Sequence, residues 1–272
     1  MSDTIDNPSY DKALLKQGIV WASGQTANEQ TPLLAALASA DYINSLDSPE
    51  DYIRLPPKQL RITRIFKALL RNPSPVAQKT LLGLTEVAAF NEKDALVEIL
   101  VKSLTGIRPA PPAAIKYWDA HSTPDSVHVH FVIDALCKNG SEPAIALLEQ
   151  KMLDAEQDYD FKLAWIRDSI LEQRNDLPLL QCCHRLLQAD FPPELKGSLV
   201  EALCTYRKLE WYKSCDKPVP PPRALASREA LLELQALCQY AKTNLELKIP
   251  ETAAVDMMLS ELDLMFREYS SR

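Results

Sequence analysis

The densest group of charges able to act on another molecule runs from Arg54 to Lys79. It holds seven cations (Arg54, Lys58, Arg61, Arg64, Lys67, Arg71 and Lys79) and no Asp or Glu. Pro56-Pro57 is expected to open a helix over KQLRITRIFKALLRN. On it Lys58, Arg61, Arg64 and Arg71 would share one face, opposite Leu60, Ile62, Ile65, Phe66, Leu69 and Leu70. Such a stripe, with Lys67 beside it, suits nucleic-acid phosphates or an acidic protein partner. The plainer reading is a solvated outer face, balanced by acidic stretches such as 142–176. A net charge of −7 favours the plainer reading, because no whole-molecule field draws the chain to phosphates. Phe66 is the one aromatic residue in the run and sits on the apolar side, which argues against stacking of single-stranded bases.

Other residues invite chemistry less strongly. Cys182-Cys183-His184 is a poor chelating group, since adjacent helical residues point about 100° apart and no second Cys or His group completes four ligands. Core packing of both thiols is the expectation. His128 and His130 would share a face on a strand and could bind metal, but on a helix they diverge by about 200°. The segment Pro218-Val-Pro-Pro221-Pro-Arg223 has the proline-x-x-proline-basic form that aromatic grooves bind, and it also suits a stiff linker. Trp211 and Tyr212, at a helix end beside it, are candidate contact residues. There is no glycine-rich phosphate loop and no GxSxG elbow, and no carboxylates pair in a way that singles them out. No catalytic, cofactor-binding or metal-ligating residue is assigned, and no cofactor is expected.

The elements that must carry these residues are helices. Apolar residues make up 46% of the 272-residue chain, enough for a substantial core and wrong for disorder. Gly is scarce (6) and Pro plentiful (20), placed at helix starts and between helices. No run approaches the roughly 18 apolar residues of a membrane span. The N-terminus lacks a basic start followed by an apolar core, so no secretory signal is expected. The six cysteines are irregularly spaced, which fits a reduced, cytoplasmic protein.

In order, the pattern predicts a polar tail (1–8), a weak helix over 10–22, and a stronger one opened by Thr31-Pro32 that carries Leu33, Leu37 and Ile43. A turn or the start of a short helical segment at Asp47-Ser-Pro-Glu-Asp, the basic helix, and helices over 76–90 and 95–104 follow. A loose segment then leads to a short helix near Trp118. Residues 122–138 alternate as a strand would at Val127, Val129, Phe131 and Ile133. Thr123-Pro124-Asp125 is a helix start, however, and an offset of 34 lays Phe131, Val132 and Leu136 on Trp165, Ile166 and Ile170. A helix is therefore expected. The same self-similarity relates 142–173 to 177–206, at an offset of 35 before the turn and 34 after it. Residues 217–223 read as a proline-rich linker, and 224–272 as a helical hairpin that caps the array.

Leu177–Tyr206, and with more deviation Glu142–Gln173, resemble HEAT repeats. A proline-containing first helix leads to an acidic turn (Asp190; Glu156), and a lysine opens the second helix (Lys196; Lys162). A degenerate unit over 111–139 places His128 where the lysine stands. The resemblance implies an all-α, right-handed α-solenoid of stacked antiparallel helical pairs, HEAT/armadillo-like, spanning 9–216. It implies a curved binding surface and no particular substrate. The expectation is a non-enzymatic scaffold for a protein partner, with no membrane association. A nucleic-acid binder using the basic helix is the alternative. Some HEAT-like folds excise damaged bases with Trp, Asp and Arg residues, for which Trp165, Arg167 and Asp168 are the candidates here. Metal-dependent hydroxylases of similar repeats use His-Glu dipeptides, and this chain has none.

Overall fold

The computed structural model describes residues 11–160, 162–163, 165–166, 177–213 and 227–270, without the side chains of 205–213 and 268–270. Among these residues there are fifteen α-helices, two 3-10 turns and no strand. The chain divides into two compact units, Met1–His121 and Ser122–Arg272.

The first unit contains α1 (Lys12–Ser23), α2 (Ala27–Leu37), α3 (Ala40–Leu46), α4 (Pro49–Arg54), α5 (Ile62–Arg71), α6 (Pro75–Gly83), α7 (Ala88–Asn91), α8 (Asp94–Leu104) and α9 (Pro112–Ala120). Helices α1 and α2 pack on each other, α1 lies on α5, and α2 lies on α6, so two helical pairs are stacked. Gly18 permits the close approach of α1. A Cβ there would stand 2.4 Å from the Tyr42 hydroxyl and 2.6 Å from Ile65 Cδ1. The last carbonyls of α1 are satisfied by two buried amides. Gln30 Nε2 donates to the Trp21 and Gly24 carbonyls at 2.9 and 2.7 Å, and Asn72 Nδ2 to those of Ala22 and Gly24 at 3.0 and 2.5 Å.

Several boundaries differ from the sequence expectation. The second helix begins at Ala27 because the Thr26 N–H and hydroxyl both donate to Glu29 Oε2, an N-terminal clasp that outranks the Thr31-Pro32 signal. It ends at Leu37, and Ile43 belongs to α3, whose start Ser39 caps. The basic helix does not open at Pro57. Pro57–Gln59 form a separate 3-10 turn, Leu60 is extended, and α5 begins at Ile62. The cause is Asp47: its fully buried carboxylate accepts the Arg61 and Ile62 N–H groups at 2.8 and 2.9 Å, capping α5 from fifteen residues upstream of Ile62. The predicted helix over 76–90 is broken into α6, a 3-10 turn (Leu84–Glu86) and α7.

The second unit contains α10 (Val129–Asn139), α11 (Glu142–Leu153), helical residues within 159–166, α12 (Leu177–Gln188), α13 (Pro193–Lys213), α14 (Arg228–Asn244) and α15 (Ile249–Ser270). Residues 129–139 are helical, as the internal repeat predicted, and end at Gly140 with φ 65, but the helix starts after the Thr123-Pro124-Asp125 signal, which lies in a turn. The two repeats are matched in detail. Helices α11 and α12 are each 12 residues long and begin 35 residues apart. Ile145, Leu147, Leu148 and Met152 are buried, as are their counterparts Leu180, Cys182, Cys183 and Leu187. Lys162 Nζ donates to the carbonyl of Asp154 at 2.6 Å, and Lys196 Nζ to that of Ala189 at 2.7 Å. Each of those carbonyls belongs to the residue immediately after the first helix of its pair, where a cation is favoured. Helix α12 packs between α11 and α14, while α13 packs on α15. The C-terminal hairpin therefore continues the same stacking. Its inner stripe (Leu231, Leu234, Leu237, Cys238; Val255, Met258, Leu262, Met265) is buried.

Candidate functional site

The basic run is sorted by its neighbours. Arg54 pairs with Glu50 one turn before it, at 3.3 Å between exposed side chains. Arg61 Nη1 lies 3.5 Å from Asp47 and 3.3 Å from Asp51, and donates to the Leu46 carbonyl at 3.2 Å. Asp51 is held below the usual carboxylate range, first by the Ser48 N–H and then, against some desolvation, by the Ser48 hydroxyl and Arg61. Arg54 and Arg61 are thus engaged with the acidic segment upstream. Lys58, Arg64, Lys67 and Arg71 remain exposed, and the sequence-predicted single face is not formed because Lys58 lies on the 3-10 turn. Arg64 and Arg71, seven residues apart on α5, share a face.

Lys58 and Lys67 open onto a cavity of about 310 Å³ beside α5. Helix α5 contributes Thr63, Phe66, Lys67 and Leu70, the i, i+3, i+4, i+7 stripe of one face. Helix α8 contributes Glu98, Ile99, Lys102 and Ser103, and Pro56 and Pro57 close one end. The floor is apolar. Phe66 is buried against Phe90 with centroids 5.7 Å apart, Ile99 is buried, and Leu70 is 45% exposed although its helix is otherwise well packed. Ser103 has its hydroxyl turned away into α8, donating to the Ile99 carbonyl at 2.7 Å. The rim carries three lysines and one carboxylate, and that carboxylate, Glu98, is already paired with Lys102 one turn along. The groove thus combines an apolar floor with a net positive rim.

The remaining candidates fall into the core. Cys182 and Cys183 are fully buried, and burial is the first cause pushing both thiols well above the ordinary range. Trp165 is 2% exposed and its Nε1–H points at Cys137 Sγ, 3.3 Å away, so its ring is packing rather than a base-recognition surface. Arg167 and Asp168 lie outside the described residues. His128 is buried at the start of α10 while His130 is exposed, so the two diverge. Trp211 and Tyr212 lie on α13 with their side chains outside the description, and Pro218, Pro221 and Arg223 lie outside the described residues.

One polar pair was not anticipated. His184 Nδ1 stands 2.6 Å from Glu233 Oε1, tying α12 to α14, with the Gln188 amide 3.3 Å from the other ring nitrogen and Tyr240 beside it at 5.5 Å. The two partners are 49 residues apart, so no local motif announces them. Its second nitrogen faces an amide rather than a nucleophile, and the pair serves as a clasp between stacked helices. Among the described residues, no three His, Cys, Asp or Glu side chains are grouped to hold a metal, and no helix is long and apolar enough to cross a membrane. No protein-family model matches the chain, and no curated protein or solved structure matches it either.

Proposed function

We propose that this chain is a non-enzymatic binding protein, a HEAT-like right-handed α-solenoid whose C-terminal hairpin caps the array and which holds a protein partner as a scaffold. The repeat reading is supported by the equal first helices, the two lysine-to-carbonyl bonds and the continued stacking of α14 and α15. The docking reading rests on one observation: the groove between α5 and α8, with its apolar floor and the half-exposed Leu70 in it. Nucleic-acid binding by the basic segment keeps support only from Lys58, Arg64, Lys67 and Arg71, because Arg54 and Arg61 are engaged with carboxylates.

The test is affinity purification with the wild type, Leu70→Asp and an exposed control on α1, Lys16→Glu. A stoichiometric protein partner should accompany the wild type and the control and be missing with Leu70→Asp. The purified pair should also slow hydrogen exchange in α5 and α8. Recovery of the same proteins with Leu70→Asp would overturn the groove as the docking site.

A further inference from the structure

We infer that the α5–α8 groove takes an acidic amphipathic helix of the partner, seated with its apolar residues against Leu70 and its carboxylates against Lys58 and Lys67. The inference rests on the docking reading above and names the chemistry of the occupant. Three features carry it. The first is shape: the groove runs between two helices of 10 and 11 residues, each about 15 Å long at 1.5 Å per residue. The lining covers Thr63 to Leu70 of one and Glu98 to Ser103 of the other, about 10 and 8 Å of helix axis, a span matched by about two turns of a third helix in the helix-in-groove mode of peptide recognition.

The second is volume. A cavity of about 150 Å³ holds a benzene-sized group, so about 310 Å³ accepts roughly two leucine- or phenylalanine-sized side chains. Anchors at i and i+3 or i+4 of an incoming helix supply that number. The lining hydroxyls are already engaged, Ser103 donating to the Ile99 carbonyl of its own helix and Thr63 to the carbonyl of Pro57.

The third is charge. Of the four ionic groups at the rim only Glu98 is negative, and Lys102 already faces it. Lys58 and Lys67 have no carboxylate within ion-pair distance among the described residues, so the rim presents two positive charges that a partner is left to neutralise. Because the chain as a whole carries −7, the attraction is local and acts within a Debye length of about 8 Å at physiological salt. It selects which amphipathic helix seats and does little to steer it from afar. A nucleic acid fits this site poorly: Phe66 is 1% exposed and cannot stack on a base, and the floor has no donors for base edges.

The experiment measures binding of three fluorescent synthetic helices with one shared leucine stripe and polar faces of Glu, Gln or Lys, alongside a labelled DNA duplex. The proteins are wild type, Lys58→Glu/Lys67→Glu and Leu70→Asp, each checked by circular dichroism for unchanged helicity and melting. The acidic helix should bind wild type best and lose roughly tenfold or more in affinity in the double lysine variant, with most of its advantage gone in high salt. Leu70→Asp should abolish binding of every peptide. Equal binding of the neutral or basic helix would overturn the acidic specificity while leaving the groove a docking site. If no peptide binds and Leu70→Asp still recovers the wild-type partner, both readings fall. Duplex binding that the lysine variant loses and Leu70→Asp retains would replace the proposal with a nucleic-acid surface.

Discussion

Lys162 reaches back across the turn of its helical pair and donates to the main-chain carbonyl of Asp154 at 2.6 Å. Its acidic-turn neighbour Glu156 is exposed, and the equivalent Lys196 makes the same kind of bond to Ala189. The lysine of the repeat is therefore a C-terminal cap for the preceding helix. Lys162→Met and Lys196→Met should each lower stability by about 1–2 kcal/mol, measured by urea unfolding. The Lys196→Met value should be the smaller, because Lys196 is the less buried.

The pH dependence of the first variant has a definite sign. Burial, the largest cause, lowers the Lys162 pKa below its ordinary value of 10.5, and nearby Asp154 offsets only part of that. Between its folded pKa and 10.5 the unfolded chain binds more protons at this site than the folded one, so its contribution to stability rises with pH across that window. Below the folded pKa the penalty of a buried cation is fully present. The stability gap between wild type and Lys162→Met should therefore widen as pH rises toward 10.5. A gap that narrows would contradict the assignment.

Asp47 is the keystone of α5. Asp47→Ala removes two capping acceptors and one of the two carboxylates beside the Arg61 guanidinium, at an expected cost of about 3 kcal/mol. Asp47→Asn retains one acceptor and should cost less. Amide exchange at Arg61 and Ile62 should accelerate in both, more than it does in α1.

Gly18→Ala should destabilise by about 1–3 kcal/mol, since its Cβ would press on Tyr42 and Ile65. Adding Tyr42→Phe and Ile65→Val, which remove the two colliding atoms, should recover part of the loss. A double-mutant cycle would read that coupling directly. Strict additivity would show that α1 does not sit as closely on its neighbours as described.

Thiol chemistry offers a fifth check. Cys137, Cys182, Cys183, Cys204 and Cys238 are buried, and a buried thiol resists forming the reactive thiolate. In a Cys215→Ser background the native protein should not react with a thiol-specific disulfide reagent until urea unfolds it. Native-state labelling of the Cys182-Cys183 peptide would contradict their core placement.

The repeats were legible because their apolar positions recur at one spacing and their first helices are equal in length, as Leu148 with Cys183 illustrates. The helical choice for 129–139 followed from that recurrence, despite a local alternation that suits a strand. Boundaries in the first unit were less legible. Pro57 carries a helix-start signal, but the carboxylate of Asp47 sets where α5 begins, and side chains that cap from a distance leave no trace in a local window. The groove was half visible. Lys58 and Lys67 stood out as charge, whereas Ile99 and Lys102 are ordinary residues of an apolar helix until tertiary packing places α8 beside α5. Nothing in the pattern marked Leu70 as half-exposed, since it belongs to the same apolar stripe as its buried neighbour Leu69.

The reach of Asn72 back to the carbonyls of Ala22 and Gly24 spans 50 and 48 residues, and this sets an order of events during synthesis. A chain emerging from the ribosome folds from its N-terminus, yet the end of α1 stays incompletely bonded until residue 72 has cleared the exit tunnel. The first helical pair is thus completed by the turn inside the second, and arrested chains that hold Asn72 within the tunnel should leave α1 open to protease while chains long enough to expose it protect α1.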